Sequence, residues 1–278
     1  MIEPPILTRP SEVRALLAQL DFHPSRILGQ NFLIDRNILG ILLAAAELQP
    51  TDRVVEVGPG LGVLTDELLM RASAVSAVEK DHRLAAYLRT RFAEEPRLVL
   101  HEGDILEADL PALFAAPGHK LVANLPYAIA ARLLVELGAL PHPPELIVVT
   151  IQREVAERLV ARPGGKDYGL LAILLQRHYE IAVVKNISPS CFWPPPEVQS
   201  AIVKLTRRAA PLGGAANEQA LRELLRHAFS QRRKTLARSL RGVVVDPLPA
   251  LAQVGIAPTA RAEEIPPDRW PPLLRALR

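Results

Sequence analysis

The chain has 278 residues, 49% of them hydrophobic and 23% charged, which excludes wholesale disorder and leaves room for one large domain or a medium domain with a small one. No apolar run approaches the ~20 residues that a membrane span needs. The opening Met1-Ile2-Glu3-Pro4-Pro5 lacks a signal-peptide pattern, and a single cysteine, Cys191, excludes an intramolecular disulfide; a reducing, cytoplasmic setting is expected. Net charge is +3, from 33 basic and 30 acidic residues, and only six of the basic residues are Lys. A GC-rich coding sequence explains that bias at least as well as bidentate phosphate recognition by Arg does.

In chain order, Ser11 is placed to cap a helix over 11–20 and Asp35 a second, apolar helix reaching about Leu48. A regular alternation follows. Strands are predicted at 53–57, 74–79, 98–101, 120–123 and 146–151, with helices at 63–70, 83–93, 128–137 and 154–161 between and after them. Such alternation implies βαβ units and a parallel sheet. Two further β-rich runs, 180–187 and 198–206, suit a hairpin on the sheet edge. Residues 209–217 are small and turn-prone and read as a linker. Beyond them the pattern is helical at 218–229, 234–240, 248–254 and 269–277. The boundary is therefore expected at 207/208, with an α/β domain before it and a small all-α domain after it.

The sharpest motif is V-V-E-V-G-P-G-L-G-V-L-T, residues 54–65. A strand runs into Gly58, Gly60 and Gly62 and a helix starts at once, so backbone N–H groups and a positive dipole end are open to a ligand. Glu79 ends the next strand, where an acid suits the two hydroxyls of a ribose. A dinucleotide and S-adenosylmethionine both fit that much. Glu56 favours the second, because a carboxylate there would repel a pyrophosphate and attract an ammonium or sulfonium. Asp104, in E-G-D-I-L at the end of the third strand, is placed to accept from an adenine amine. The fourth strand ends in Asn124-Leu125-Pro126-Tyr127, at the sheet edge where doubly wound folds place their chemistry. The Asn124 side-chain oxygen and a backbone carbonyl can together accept both hydrogens of an exocyclic amine, and Tyr127 offers a stacking face.

These motifs, with L-G-Q-N-F-L (28–33), V-E-K-D (78–81), Q-R-E-V-A-E-R-L (152–159), K-D-Y-G (166–169), C-F-W-P-P-P-E-V (191–198) and A-F-S-Q-R-R-K-T-L (228–236), span nearly the whole chain. Together they resemble the adenine-N6 dimethyltransferases of ribosomal RNA, most closely the small-subunit type, the KsgA (RsmA) family. The resemblance implies a Rossmann-like, S-adenosylmethionine-dependent methyltransferase domain, with a mostly parallel sheet and helices on both faces, and a small helical domain. It implies that Gln30 and Asn31 contact the methionine part of the cofactor beside Gly58 and Gly60. Glu79 would hold the ribose, Asp104 the adenine amine, and Ile105 would pack on the ring; Leu33, Glu56, Lys80 and Asn124 complete the cofactor set. Asn124 and the Leu125 carbonyl would orient the target N6. Tyr127 and Phe192 would sandwich the base, with Pro126 fixing the turn. The sequence departs from the family pattern at Ala128 and Ala130, at Leu170 and Ala172, and at Glu197 and Gln199, which bears on hydrogen bonding around the site and on RNA contacts.

The charge is unevenly placed. Residues 205–278 hold 13 basic and 6 acidic side chains (+7), and residues 1–204 hold 20 and 24 (−4). Arg222, Arg226, Arg232, Arg233, Lys234 and Arg238 read as a phosphate-binding surface, with Arg222, Arg226 and Arg233 spaced for one helical face. The expected partner is the small ribosomal subunit, methylated late in assembly at two adjacent adenines of the 3′-terminal hairpin of its RNA. A monomer is expected, without metal or membrane. The alternatives are a large-subunit adenine methyltransferase of the macrolide-resistance type, an assembly factor in which methylation is secondary, and a nicotinamide-dependent dehydrogenase, which Asn124-Leu125-Pro126-Tyr127 and Glu56 disfavour.

Overall fold

The computed structural model describes residues 7–25, 29–231 and 234–277. Its strands are β1 (Phe32–Leu33), β2 (Arg53–Val57), β3 (Ala74–Glu79), β4 (Leu98–Glu102), β5 (His119–Asn124), β6 (Leu146–Gln152), β7 (Tyr179–Ile187), β8 (Phe192–Trp193) and β9 (Ser200–Arg207). Seven of them form one sheet in the order β4-β3-β2-β5-β6-β9-β7. The pairs β4–β3, β3–β2, β2–β5 and β5–β6 are parallel, and β9 joins β6 antiparallel. The central strands are apolar on successive residues and buried on both faces, as in Leu121-Val122-Ala123 and Ile147-Val148-Val149. The β-rich runs expected as an edge hairpin are neighbouring strands at one end of the sheet.

Strand order reverses between β2, which leads outward to β3 and β4, and β5, which leads the other way to β6. That reversal opens a crevice at the carboxyl ends of β2 and β5, the place where open α/β sheets receive ligands. Helices close the crevice with local signals legible in the sequence. Asp35 accepts from the Ile38 N–H at the start of Arg36–Ala46, and Asp81 accepts from the Arg83 and Leu84 N–H groups at the start of His82–Arg91. The first helix differs from expectation. It begins at Pro10, whose missing N–H suits a first turn, and Ser11 does not cap it.

The chain divides into two compact units, but not at a single boundary. The first runs to Ala156 and resumes over Ala182–Thr206; the second combines Glu157–Ile181 with the chain from Arg207 onward. The expected break near 207 is therefore joined by an earlier excursion, and the helix Leu170–His178 within it belongs to the helical unit. The reason is polar as well as apolar. Arg177, fully buried, binds both Glu218 carboxylate oxygens at 3.0 and 2.9 Å, and the Tyr168 hydroxyl donates to the Ile265 carbonyl at 2.8 Å. The expected linker 209–217 is a packed strap of the same unit. The Leu212 N–H donates to the Arg177 carbonyl, and a Cβ at Gly213 (φ +76°) would stand 2.4 Å from the Asp268 carbonyl oxygen. Counted over these units, the second holds 17 basic and 9 acidic residues (+8) and the first 16 and 21 (−5).

Candidate active site

The crevice is a cavity in the first unit. Its wall brings together Gln30, Asn31, Leu33, Glu56, Gly58, Gly60, Glu79, Lys80, Asp104, Ile105 and Asn124, every residue that the sequence reading groups around a cofactor. They come from the ends of four parallel strands and from the segment around β1.

The glycine loop is shaped by what presses on it. Gly60 has φ +61°, and a Cβ there would lie 3.0 Å from the Phe32 ring, so only glycine lets the loop pass beneath that aromatic. Glu79 holds the loop from the other side. Its two oxygens accept from the Gly60 N–H at 3.0 Å and the Asp81 N–H at 2.9 Å. Burial raises its carboxyl above the usual range, partly opposed by these two N–H groups. Asp104 has the opposite setting. Lys80 lies 2.8 Å away and, with the Leu106 N–H at 2.9 Å, holds the Asp104 carboxyl below its ordinary value.

Glu56 behaves differently from the sequence expectation of an anion awaiting a cation. It is 1% exposed, accepts from the Thr65 hydroxyl at 2.7 Å, and is pushed up to about 8, chiefly by burial. At neutral pH it is mostly protonated. Thr65, in the first turn of the helix Val63–Leu69, carries no sequence signal beyond its place after the glycine loop. Gln30 is bound at both ends of its amide, accepting from the Ser25 N–H and donating to Asp81 at 3.0 Å.

Asn124 ends β5 with its side-chain nitrogen donating to the Asn31 carbonyl at 2.9 Å. A carbonyl only accepts, so this bond fixes which way round the amide sits and leaves Oδ1 as its acceptor. Pro126, Ala128 and Ile129 continue the cavity wall. Tyr127 opens the helix Tyr127–Gly138, half-buried, with its hydroxyl 2.5 Å from Ser200 Oγ. Burial raises its phenol above the ordinary value, so it stays neutral even at alkaline pH.

Phe192 departs from the expected place beside Tyr127, where the two rings would sandwich the base. It is 1% exposed and packs in the core with Leu33, Ile38 and Ile202. The cause is pairing: β8 runs antiparallel to β1 with Leu33 opposite Phe192, which draws the ring inward. Of the departures from the family pattern, Ala128 lines the cavity, Ala130 and Ala172 are buried, and Gln199 accepts from Arg153 at 2.7 Å. No group of His, Cys, Asp or Glu among the described residues is placed to hold a metal ion.

Comparison with known proteins decides the family. The family model described as ribosomal RNA adenine dimethylase matches residues 22–276. The chain belongs to that family. A relative from Syntrophotalea carbinolica named ribosomal RNA small subunit methyltransferase A is 42% identical over 249 residues, covering 88% of this chain and 94% of its own. Among solved structures, a dimethyladenosine transferase from Plasmodium falciparum matches with a TM-score of 0.75 and 26% identity, over 87% of this chain and 95% of that one. The 23S rRNA methyltransferase ErmE matches with a TM-score of 0.66 and 30% identity, over 89% and 99%. The protein is thus an enzyme, a ribosomal RNA adenine dimethyltransferase on a Rossmann-like fold.

The basic residues expected to bind phosphate in this dimethyltransferase belong to its second unit. On the helix Glu218–Phe229, Leu221, Leu224, Leu225 and Ala228 face the core while Arg226 is exposed and Arg222 half-buried. Lys234 and Arg238 are exposed. The helix closes at Phe229, so a single helical stripe does not run from Arg222 to Arg233. Arg232 and Arg233 themselves lie outside the described residues, as does Leu28. Among the described residues no helix is long and apolar enough to cross a membrane.

Proposed function

We propose that this enzyme dimethylates N6 of two adjacent adenines in the 3′-terminal hairpin of small-subunit ribosomal RNA, on an assembling subunit, with S-adenosylmethionine as methyl donor. The carrying observation is the 42% identity, over almost the full length of both chains, to a small-subunit methyltransferase, against 30% to the large-subunit enzyme.

The cavity suits the cofactor chemically. A ribose presents hydroxyl donors, and the Glu79 carboxyl at the cavity wall presents acceptor oxygens. An adenine amine is also a donor, and Asp104, kept ionised by Lys80, accepts. Gly58 and Gly60 give the backbone room beside the methionine portion. When bound, S-adenosylmethionine supplies an already activated methyl group, so the protein's task is orientation rather than activation.

That task falls to Asn124 and its neighbours. The lone pair of adenine N6 is conjugated into the ring, and acceptors at Asn124 Oδ1 and the Leu125 carbonyl favour a nitrogen whose lone pair is directed out of that plane. Holding a nucleophile in such a geometry can contribute ~7 kcal/mol or more through proximity alone. The amine gives up its proton only after it has been methylated, so acceptors suffice and no strong base is needed. Tyr127 serves as a stacking face for the base; stacking on an aromatic ring contributes roughly 1–3 kcal/mol per base. The basic residues of the second unit supply phosphate contacts.

The test is transfer of labelled methyl groups to small subunits from a strain lacking the dimethylation, beside large subunits and naked RNA. Label in dimethyladenosine of the small subunit is expected. Label confined to the large subunit would replace this reading with the macrolide-resistance type.

A further inference from the structure

Ser200 opens β9 and is fully buried, in register with Gln152 at the end of β6. Its Oγ lies 2.5 Å from the hydroxyl of Tyr127, a residue 73 positions earlier in the chain. Tyr127 sits at the first position of its helix, after a proline, where the helix ladder does not yet hold its backbone N–H. Its ring is therefore anchored at two ends: at Cα by the turn after Pro126, and at the phenol oxygen by Ser200. The second anchor is the hydrogen bond that fixes the angle of this half-buried ring. The neighbouring strand offers a contrast. Thr150, in register with Asn124 and fully buried, has a hydroxyl with no hydrogen-bond partner among the described residues. Two buried hydroxyls thus stand at one sheet edge, and only the one on β9 is tied to the aromatic beside the cavity.

We propose that Ser200 is a positioning residue for methyl transfer, whose hydroxyl, bonded to the Tyr127 phenol, holds the Tyr127 ring at the angle on which the target adenine stacks. This rests on the reading of Tyr127 as the base's stacking face. The consequence is geometric. A base displaced by about 1 Å from its attack position reacts ~100-fold more slowly. A ring that turns moves the target nitrogen away from Asn124 without altering the cofactor's contacts with Glu79 and Asp104. Ser200 should therefore govern the rate of transfer and leave cofactor affinity unchanged.

The experiment measures single-turnover transfer to small subunits at saturating S-adenosylmethionine. Ser200→Ala and Tyr127→Phe each remove the bond and keep the ring; each is expected to slow transfer about tenfold, the worth of one buried hydrogen bond. The double variant should be no slower than either single one, because both delete the same bond. Ser200→Thr, which retains a hydroxyl, should recover most of the rate, and KM for the subunit should change less than twofold. Thr150→Val removes a buried hydroxyl without a hydrogen-bond partner among the described residues and should transfer at the wild-type rate. Wild-type transfer by Ser200→Ala or by Tyr127→Phe overturns the proposal, as does a double variant whose loss is the product of the two single losses. If Ser200→Ala fails to fold, Tyr127→Phe carries the test by itself. Tyr127→Ala probes the underlying reading separately: full transfer there refutes the stacking face, whereas lost transfer there with full transfer by Ser200→Ala refutes only the tie.

Discussion

Replacing Glu56 with Gln isolates a carboxyl whose ionisation burial has moved far from its ordinary range. The carboxyl is 1% exposed and titrates at about 8 in the folded protein, against an ordinary value of 4.5. The folded state therefore keeps a proton that the unfolded chain releases between pH 4.5 and about 8. Stability is undiminished by this group below pH 4.5 and declines as pH rises through that window. Integrating the linkage from these two values gives a loss of about 2 kcal/mol between pH 5 and 6.5 and roughly 3 to 4 kcal/mol between pH 5 and 8. Gln has no proton to hold and still offers an oxygen to the Thr65 hydroxyl, so the variant lacks this slope. Urea unfolding at pH 5, 6.5 and 8, followed by circular dichroism, gives both proteins' free energies. The difference, variant minus wild type, should grow in favour of the variant by those amounts. Parallel pH profiles would refute the argument, because they would mean that Glu56 is already ionised in the folded protein.

Further outcomes follow from the other residues of the molecule. Asn124→Ala should lower the transfer rate at least ~100-fold, as removal of a positioned transition-state partner does, while equilibrium dialysis still detects cofactor binding; a rate within tenfold of wild type would remove Asn124 from the chemistry. Glu79→Gln should weaken cofactor binding by ~10-fold or more, since hydrogen bonds to a charged group contribute about 1.5–3 kcal/mol, and calorimetry reads this directly. Gly213→Ala should destabilise the helical unit by about 2 kcal/mol or more, from a left-handed backbone and a collision with the Asp268 carbonyl; urea unfolding that matches wild type would contradict the packed strap. Removing Arg226 and Arg238 together should lower the slope of log affinity against log salt for small-subunit binding by about 2, one for each phosphate that is no longer neutralised.

Much of the site is legible in the linear chain because its residues sit at strand ends and in turns, where short-range chemistry dictates residue type. Gly58 and Gly60 are needed for a tight turn, Glu79 and Asp104 fall one after another at the ends of successive strands, and Asn124 follows by the same rule. The burial of Phe192 is not legible, because its position depends on β8 pairing with β1, two strands of two residues each, too short to leave a periodic pattern. Thr65 and Ser200 escape sequence reasoning for a related reason. A lone hydroxyl in a chain announces nothing until its partner, Glu56 or Tyr127, is known.

The sequence by itself determined the alternation of strands and helices, the glycine loop with its acidic partners, and a basic C-terminal part, because these rest on residue type and local spacing. It did not determine which stretches pack together. The helix Leu170–His178 reads as an apolar run in the middle of the catalytic part of the chain, and a fully buried Arg177 bound to Glu218 assigns it to the helical unit. Nor did residue type reveal that Glu56 is protonated near neutrality, since a carboxyl's charge is set by how much water the fold leaves around it. Those properties come from contacts between residues far apart in the chain, and only the tertiary structure creates them.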